Sequence, residues 1–172
     1  LNVKDGEVQT VCVNMGSPEL VPKNIPIDSN LDRFISEDVE VDGKVYKVTG
    51  VSMGNPHAVT FIDDTDSLEI EKIGPKFETH KLFPKKINTE FAQIVDRNTV
   101  KMRVWERGAG ETLACGTGAC ATMVAANLNG LVDDEADLVL LGGTLHIKWD
   151  KNENKVYMTG PAKFVFDGTI TL

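Results

Sequence analysis

The sequence lacks what would place it in a membrane, on nucleic acid or in a disulfide scaffold. Its 172 residues hold no apolar run approaching the ~20 that span a bilayer. No signal-peptide pattern is present. Basic charge is scarce: 18 Lys and Arg stand against 26 Asp and Glu, a net charge of −8. A surface that neutralises phosphates is therefore not expected, which argues against nucleic acid and anionic membrane as partners. Only three cysteines occur, Cys12, Cys115 and Cys120. An odd and scattered set makes no disulfide framework, and the expected setting is the reducing cytoplasm. His57, His80 and His146 lie far apart, without an i, i+4 partner or a Cys-x-x-Cys, so no metal site is expected. Low-complexity segments and short repeats are absent too. What remains is 41% hydrophobic and 26% charged, ordinary for one or at most two globular domains. The chain begins at Leu1, compatible with processing or with a fragment.

Alternating residues predict half-buried strands at 9–15, with Cys12 structural within its strand, and at 99–105, where Val100, Met102 and Val104 share a face. Pro18, Pro22 and Pro26 make 16–27 an extended connection. Asp42-Gly43 sets a hairpin between Val39–Val41 and a strand running from Lys44 to about Met53. Gly54-Asn55-Pro56-His57 reads as a turn, although a histidine at a strand end is also where chemistry is placed. Further strands are expected at 58–62, 91–95, 138–141, 144–149, 155–158 and 163–166. A short amphipathic helix is expected at 66–73, ended by Gly74-Pro75. His80 is expected at the surface and His146 within a strand.

At the centre, the strand ending at Trp105 hands over to Glu106-Arg107-Gly108-Ala109-Gly110-Glu111-Thr112-Leu113-Ala114-Cys115-Gly116-Thr117-Gly118. A small-residue apolar stretch, 119–128, follows as a helix and stops near Gly130. Cys115 would thus open a helix, where free N–H groups and the helix dipole stabilise a thiolate and can lower its pKa to ~3.5–7.5. The same N–H groups can cradle a carboxylate. A cysteine there can equally be a small buried hydrophobe. A phosphate loop is disfavoured by the missing Gly-Lys-Ser/Thr ending and by Glu111. Cys115 and Cys120, about 7.5 Å of rise and ~140° apart on a helix, do not form a redox pair. The predicted fold class is α+β: eight to ten strands in a curved, largely antiparallel sheet wrapped around one central apolar helix.

Gly54-Asn55-Pro56-His57, Phe83-Pro84 followed by Asn88, and the Glu106–Gly118 segment resemble diaminopimelate epimerase in order and spacing, and the likeness runs to Gly160-Pro161-Ala162. The resemblance implies one half of a two-domain fold. It implies an enzyme interconverting LL- and meso-2,6-diaminopimelate without pyridoxal phosphate, other cofactor or metal, by two opposed cysteines. On that likeness Cys115 is the catalytic thiol of this half. Gly116 and Thr117 offer N–H groups to the reacting carboxylate. Glu106, Arg107, Asn55 and Asn88 bind the far end of the substrate, and His57 and Glu106 help set thiol protonation.

The resemblance also has a gap, because the family's first half, with its own Cys-Gly-Asn-Gly motif, is absent. Residues 1–15 then read as a strand belonging with that half, 16–160 as the C-terminal epimerase domain, and 161–172 as a segment returning to the missing domain. The isolated chain is expected to be inactive. Its end strands are expected to pair with each other or with another copy, a possible homodimer. A proline-racemase-like half and a non-enzymatic amino-acid-binding module are the competing readings, the last distinguished by slow alkylation of Cys115.

Overall fold

The computed structural model describes residues 1–171 and shows how the small-residue helix is enclosed. Helix α2, Gly116–Leu128, is buried continuously from Gly118 to Ala126, so it has no solvent face. Its enclosure comes from one sheet whose path runs β1-β2-β11-β10-β9-β7-β6-β5-β4-β3. The strands are β1 Asn2–Lys4, β2 Glu7–Asn14, β3 Glu37–Val41, β4 Lys44–Ser52, β5 Pro56–Phe61, β6 Asn88–Asp96 and β7 Thr99–Glu106. They continue with β8 Gly110–Thr112 (paired with β7 off the main path), β9 Glu135–Leu140, β10 Gly143–Asp150 and β11 Lys155–Pro161. Helix α2 touches β4, β5 and β6 as well as β9, β10 and β11. Strands from both sides of the path reach one helix only if the sheet curls around it.

Most neighbours are antiparallel, as expected from the alternating pattern. Two pairs are parallel, β5 with β6 and β7 with β9. A parallel pair needs a crossover, and the chain supplies a helix for each. The first is α1, Ile70–Glu78, between β5 and β6; the second is α2, between β7 and β9. The apolar interior divides accordingly. Val51, Val59, Val100, Met102, Leu138 and Ile147 cluster with Met123 of α2, whereas Ile25, Ile27, Phe34, Val39 and Phe91 cluster with Phe77 of α1. The Asp42-Gly43 hairpin forms as read, both residues at positive φ (56° and 76°).

Four expectations need correction. The first helix does not stop at Gly74-Pro75; it starts at Ile70 and continues through both to Glu78. Gly74 is there for contact, since a Cβ on it would lie 2.4 Å from Cδ2 of Trp105. The hydrogen bond that Pro75 cannot make would go to Glu71, which is solvent-exposed, so water can serve that carbonyl. Strand β2 is not half-buried: its residues are exposed or intermediate on both faces, and Cys12 is exposed. No strand forms at 163–166; residues 162–171 are irregular, with Phe164, Val165 and Phe166 about 80% exposed. The described residues hold eleven strands rather than eight to ten, while the two α-helices are the amphipathic and the apolar one expected.

The two ends behave differently. Near the N-terminus β1 folds back on β2, and β2 pairs with β11 through Tyr157↔Asn14 to Pro161↔Thr10, so this end is integrated into the sheet. After Ala162, whose N–H donates to the Gln9 carbonyl of β2 at 3.4 Å, the remaining described residues pair with no strand. Trp105 and Gly74 give a direct test of the α1 packing. Gly74→Ala gains about 1 kcal/mol of helix propensity but overpacks the ring at a cost of about 1–3 kcal/mol. A net destabilisation is expected in urea unfolding, and an unchanged or higher midpoint would contradict the contact.

Candidate active site

The loop after β7 and the start of α2 bring together the residues singled out by sequence. Cys115 occupies the N-cap of α2, in extended conformation (φ −133°, ψ 106°), and its sulfur accepts from the Gly118 N–H at 3.3 Å. Gly116 and Thr117 are the first residues of the helix, where N–H groups have no intrahelical acceptor. The Thr117 hydroxyl lies 3.5 Å from Cys115 Sγ. Gly118 is small for a reason: a Cβ there would lie 2.7 Å from Glu90 Oε1 and 3.1 Å from the sulfur.

Behind the sulfur runs a line of polar side chains. Asn55 Nδ2 donates to Thr117 Oγ1 at 3.2 Å, and Asn55 Oδ1 lies 3.1 Å from His57 Nε2. His57 Nδ1 is 2.7 Å from Glu90 Oε1, with both side chains fully buried. Parallel pairing of β5 with β6 makes this contact, since His57 sits opposite Asn88 and Val59 opposite Glu90. Sequence reading found His57 and Asn55 but missed Glu90. Its only signal is a carboxylate between Thr89 and the apolar pair Phe91-Ala92 in a strand, and its partner lies 33 residues away.

Other expected residues are placed less simply. Asn88 is buried; its Nδ2 donates to the Pro56 carbonyl and its Oδ1 accepts from the Arg107 backbone N–H, both at 2.8 Å. It ties the β5 entry to the loop, and it reaches the site through Arg107's backbone. The Arg107 side chain is exposed, with Nη1 on the Lys85 carbonyl. Glu106 is half-buried and accepts from the Thr112 hydroxyl, a partner that sequence reading did not single out. The loop is braced by Glu78, which accepts from Trp105 Nε1 at 2.8 Å, Lys86 Nζ at 3.0 Å and the Gly108 N–H at 3.2 Å. Trp105's hydrogen bond holds that carboxyl below its usual range. The Arg103 guanidinium clasps Glu111 at 2.7 and 3.0 Å, fixing β8 beside β7.

The thiol itself departs from expectation. Burial pushes Cys115 up to about 11, and the charges of Glu90 and Glu106 push the same way. The Thr117 hydroxyl and the Gly118 N–H oppose this without overcoming it. Cys120, fully buried one turn behind, is pushed up to about 12 by burial and by Cys115. Among the described residues no three His, Cys, Asp or Glu side chains gather in a way that could hold a metal ion. A groove of about 750 Å³ lies elsewhere, where the N-terminal residues meet the irregular segment after β11, lined by Leu1, Val8, Val11, Pro161 and Phe164.

The comparisons with known proteins agree with one another. The profile of the family described as Diaminopimelate epimerase matches residues 49–165. The diaminopimelate epimerase of Acetivibrio thermocellus is 59% identical over all of this chain and 61% of its own length. That of Desulfovibrio desulfuricans is 53% identical, covering 95% of this chain and 59% of its own. The chain spans about three-fifths of the curated relatives it matches. Among solved structures, a hydroxyproline epimerase from Agrobacterium vitis superposes with a TM-score of 0.63 at 13% identity, covering 92% of this chain and 51% of that one. A probable proline racemase from Agrobacterium radiobacter K84 gives 0.60 at 12% identity, covering 96% and 56%. These two share the fold.

Alkylation checks the thiol assignment, because the thiolate is the reacting form. With iodoacetamide at pH 7.5, exposed Cys12 should be modified first. The rate at Cys115 should rise about tenfold per pH unit and level off near pH 11. A plateau already reached near neutral pH would contradict the burial argument.

Proposed function

Because the chain belongs to the diaminopimelate epimerase family, we propose that it supplies one face of a cofactor-independent epimerisation centre acting on 2,6-diaminopimelate. The observation that carries this reading is Cys115 at the head of α2, with its sulfur beside Thr117 and Gly118 and the leading N–H groups of the helix around it. Epimerisation at an α-carbon removes a proton from one face and delivers another to the opposite face. A helix N-terminus suits the substrate carboxylate, because charge builds on it as the α-proton leaves. With its pKa raised, Cys115 rests as the thiol and is the proton donor. The complementary thiolate comes from a second half, carried by the part of the relatives' length that this chain does not cover. An α-ammonium placed beside Cys115 would favour its thiolate and let the roles reverse.

Glu106 and Arg107 extend the site towards the distal end of the substrate, a zwitterion that calls for one acid and one base. Asn88 acts here by holding the Arg107 backbone, and Asn55 by holding Thr117. His57 and Glu106 bear on thiol protonation, the former from behind Asn55. The assembled protein belongs to lysine biosynthesis, with the cytoplasm as its setting, no bound cofactor and two copies a possible assembly. With Cys115 pushed up to about 11 by burial, slow alkylation at neutral pH does not separate this reading from an amino-acid-binding module. Proton exchange at the α-carbon does, since a binding module makes no use of a sulfur at this position.

Deuterium exchange tests the reading. In D₂O the isolated 172-residue chain should place no label at the α-carbon of diaminopimelate, since one face of the reaction is missing. Joined to the complementary two-fifths of the Acetivibrio thermocellus relative it should label and epimerise. Labelling by the isolated chain would refute the division of labour.

A further inference from the structure

The buried pair His57–Glu90 has a property that follows from its neighbours. Asn55 Nδ2 donates to Thr117, so Asn55 turns its Oδ1, an acceptor only, towards His57 Nε2. Nε2 must therefore carry a proton. Nδ1 then faces Glu90 Oε1 at 2.7 Å, and a lone pair against an ionised carboxylate at that distance would repel. One further proton has to lie between them, whether it resides on the ring or on the carboxyl. Glu90 Oε2 is buried with no hydrogen-bond partner, a costly state for a lone charged carboxylate and a cheaper one when the group shares a proton. From this end each group donates to the next. His57 Nε2 donates to Asn55 and Asn55 Nδ2 to Thr117, while the Thr117 hydroxyl, its oxygen already accepting, keeps its own proton for the sulfur 3.5 Å away.

We propose that Glu90 is a positioning residue which, through His57, Asn55 and Thr117, sets a one-way chain of hydrogen-bond donation ending on the Cys115 sulfur. The chain supports the thiolate at the moment Cys115 has given up its proton, and Gly118 allows it, since a Cβ there would lie 2.7 Å from Glu90 Oε1 and 3.1 Å from the sulfur. The functional meaning rests on the reading of Cys115 as a proton carrier; the donor chain itself does not. The acidic groups that bear on the sulfur are Glu90 and Glu106, with Cys120 behind it.

Nitrogen-resolved NMR of the ¹⁵N-labelled chain reads the tautomer directly, with His80→Gln and His146→Gln removing the other two signals. His57 should show a protonated Nε2 and a strongly deshielded proton at Nδ1 that disappears in Glu90→Gln. A neutral ring protonated at Nδ1 alone, or a deshielded signal surviving Glu90→Gln, overturns the proposal. At the far end, measured in a Cys12→Ser background, Thr117→Val should slow alkylation of Cys115 about tenfold. Thr117→Ser should restore it, and equal rates in all three proteins would also overturn the chain. If the isolated polypeptide labels diaminopimelate while His57 shows the expected tautomer, the functional reading fails and the donor chain stands.

Discussion

Enclosure of α2 is the constraint from which the rest follows. A helix whose stretch 118–126 holds only Gly, Ala, Cys, Thr, Met and Val, with no polar face, cannot rest on a flat sheet, because half of it would remain wet. The sheet must curl until β4–β6 and β9–β11 both touch it. Small side chains let the strands approach closely, and that closeness puts Glu90 of β6 against Gly118 and Cys115. The helix head cannot be buried in the same way, since its first N–H groups need partners that are not part of the helix. One element is therefore apolar along its length and carries a thiol and N–H groups without an intrahelical acceptor at its tip.

Two effects compete at that tip, and their sizes decide the outcome. A helix dipole contributes about 0.3–1 kcal/mol, less than one pKa unit. Burial of an ionisable group can move it by up to 3–5 units. With Cys115 only 6% exposed, burial prevails and the thiol is raised to about 11. The helix start gives the sign of one contribution, and burial supplies the larger one of opposite sign. A raised pKa also makes the thiolate, once formed, a stronger base. That suits removal of a carbon-bound proton better than a weakly basic thiolate would.

Much of the fold was legible because it is written locally. Alternation located the strands around α2, Asp42-Gly43 gave its hairpin, and the run 119–128 gave the central helix. Legibility failed where the cause is distant in sequence. Gly74-Pro75 looks like a helix end until Trp105, thirty-one residues on, is seen to need the space. The strand expected at 163–166 has apolar residues but no neighbour within the described chain to pair with. For the site, Cys115, Gly116, Thr117, Glu106, Arg107, Asn55, Asn88 and His57 are all named from motifs, and the structure sets Thr117 beside the sulfur with Asn55 and His57 linked to it in a line. Glu90 was invisible because only the parallel β5–β6 register sets it against His57.

The claim on which the account stands is that the Cys115 sulfur carries a proton to or from the α-carbon. Fusing this chain behind the complementary segment of the Acetivibrio thermocellus relative and comparing it with its Cys115→Ala variant measures that role. The account predicts loss of LL-to-meso conversion by at least about 10³-fold in the variant, on the scale of removing a catalytic group, with the protein still folded by circular dichroism. A folded variant that keeps conversion within a few-fold of the parent would contradict it.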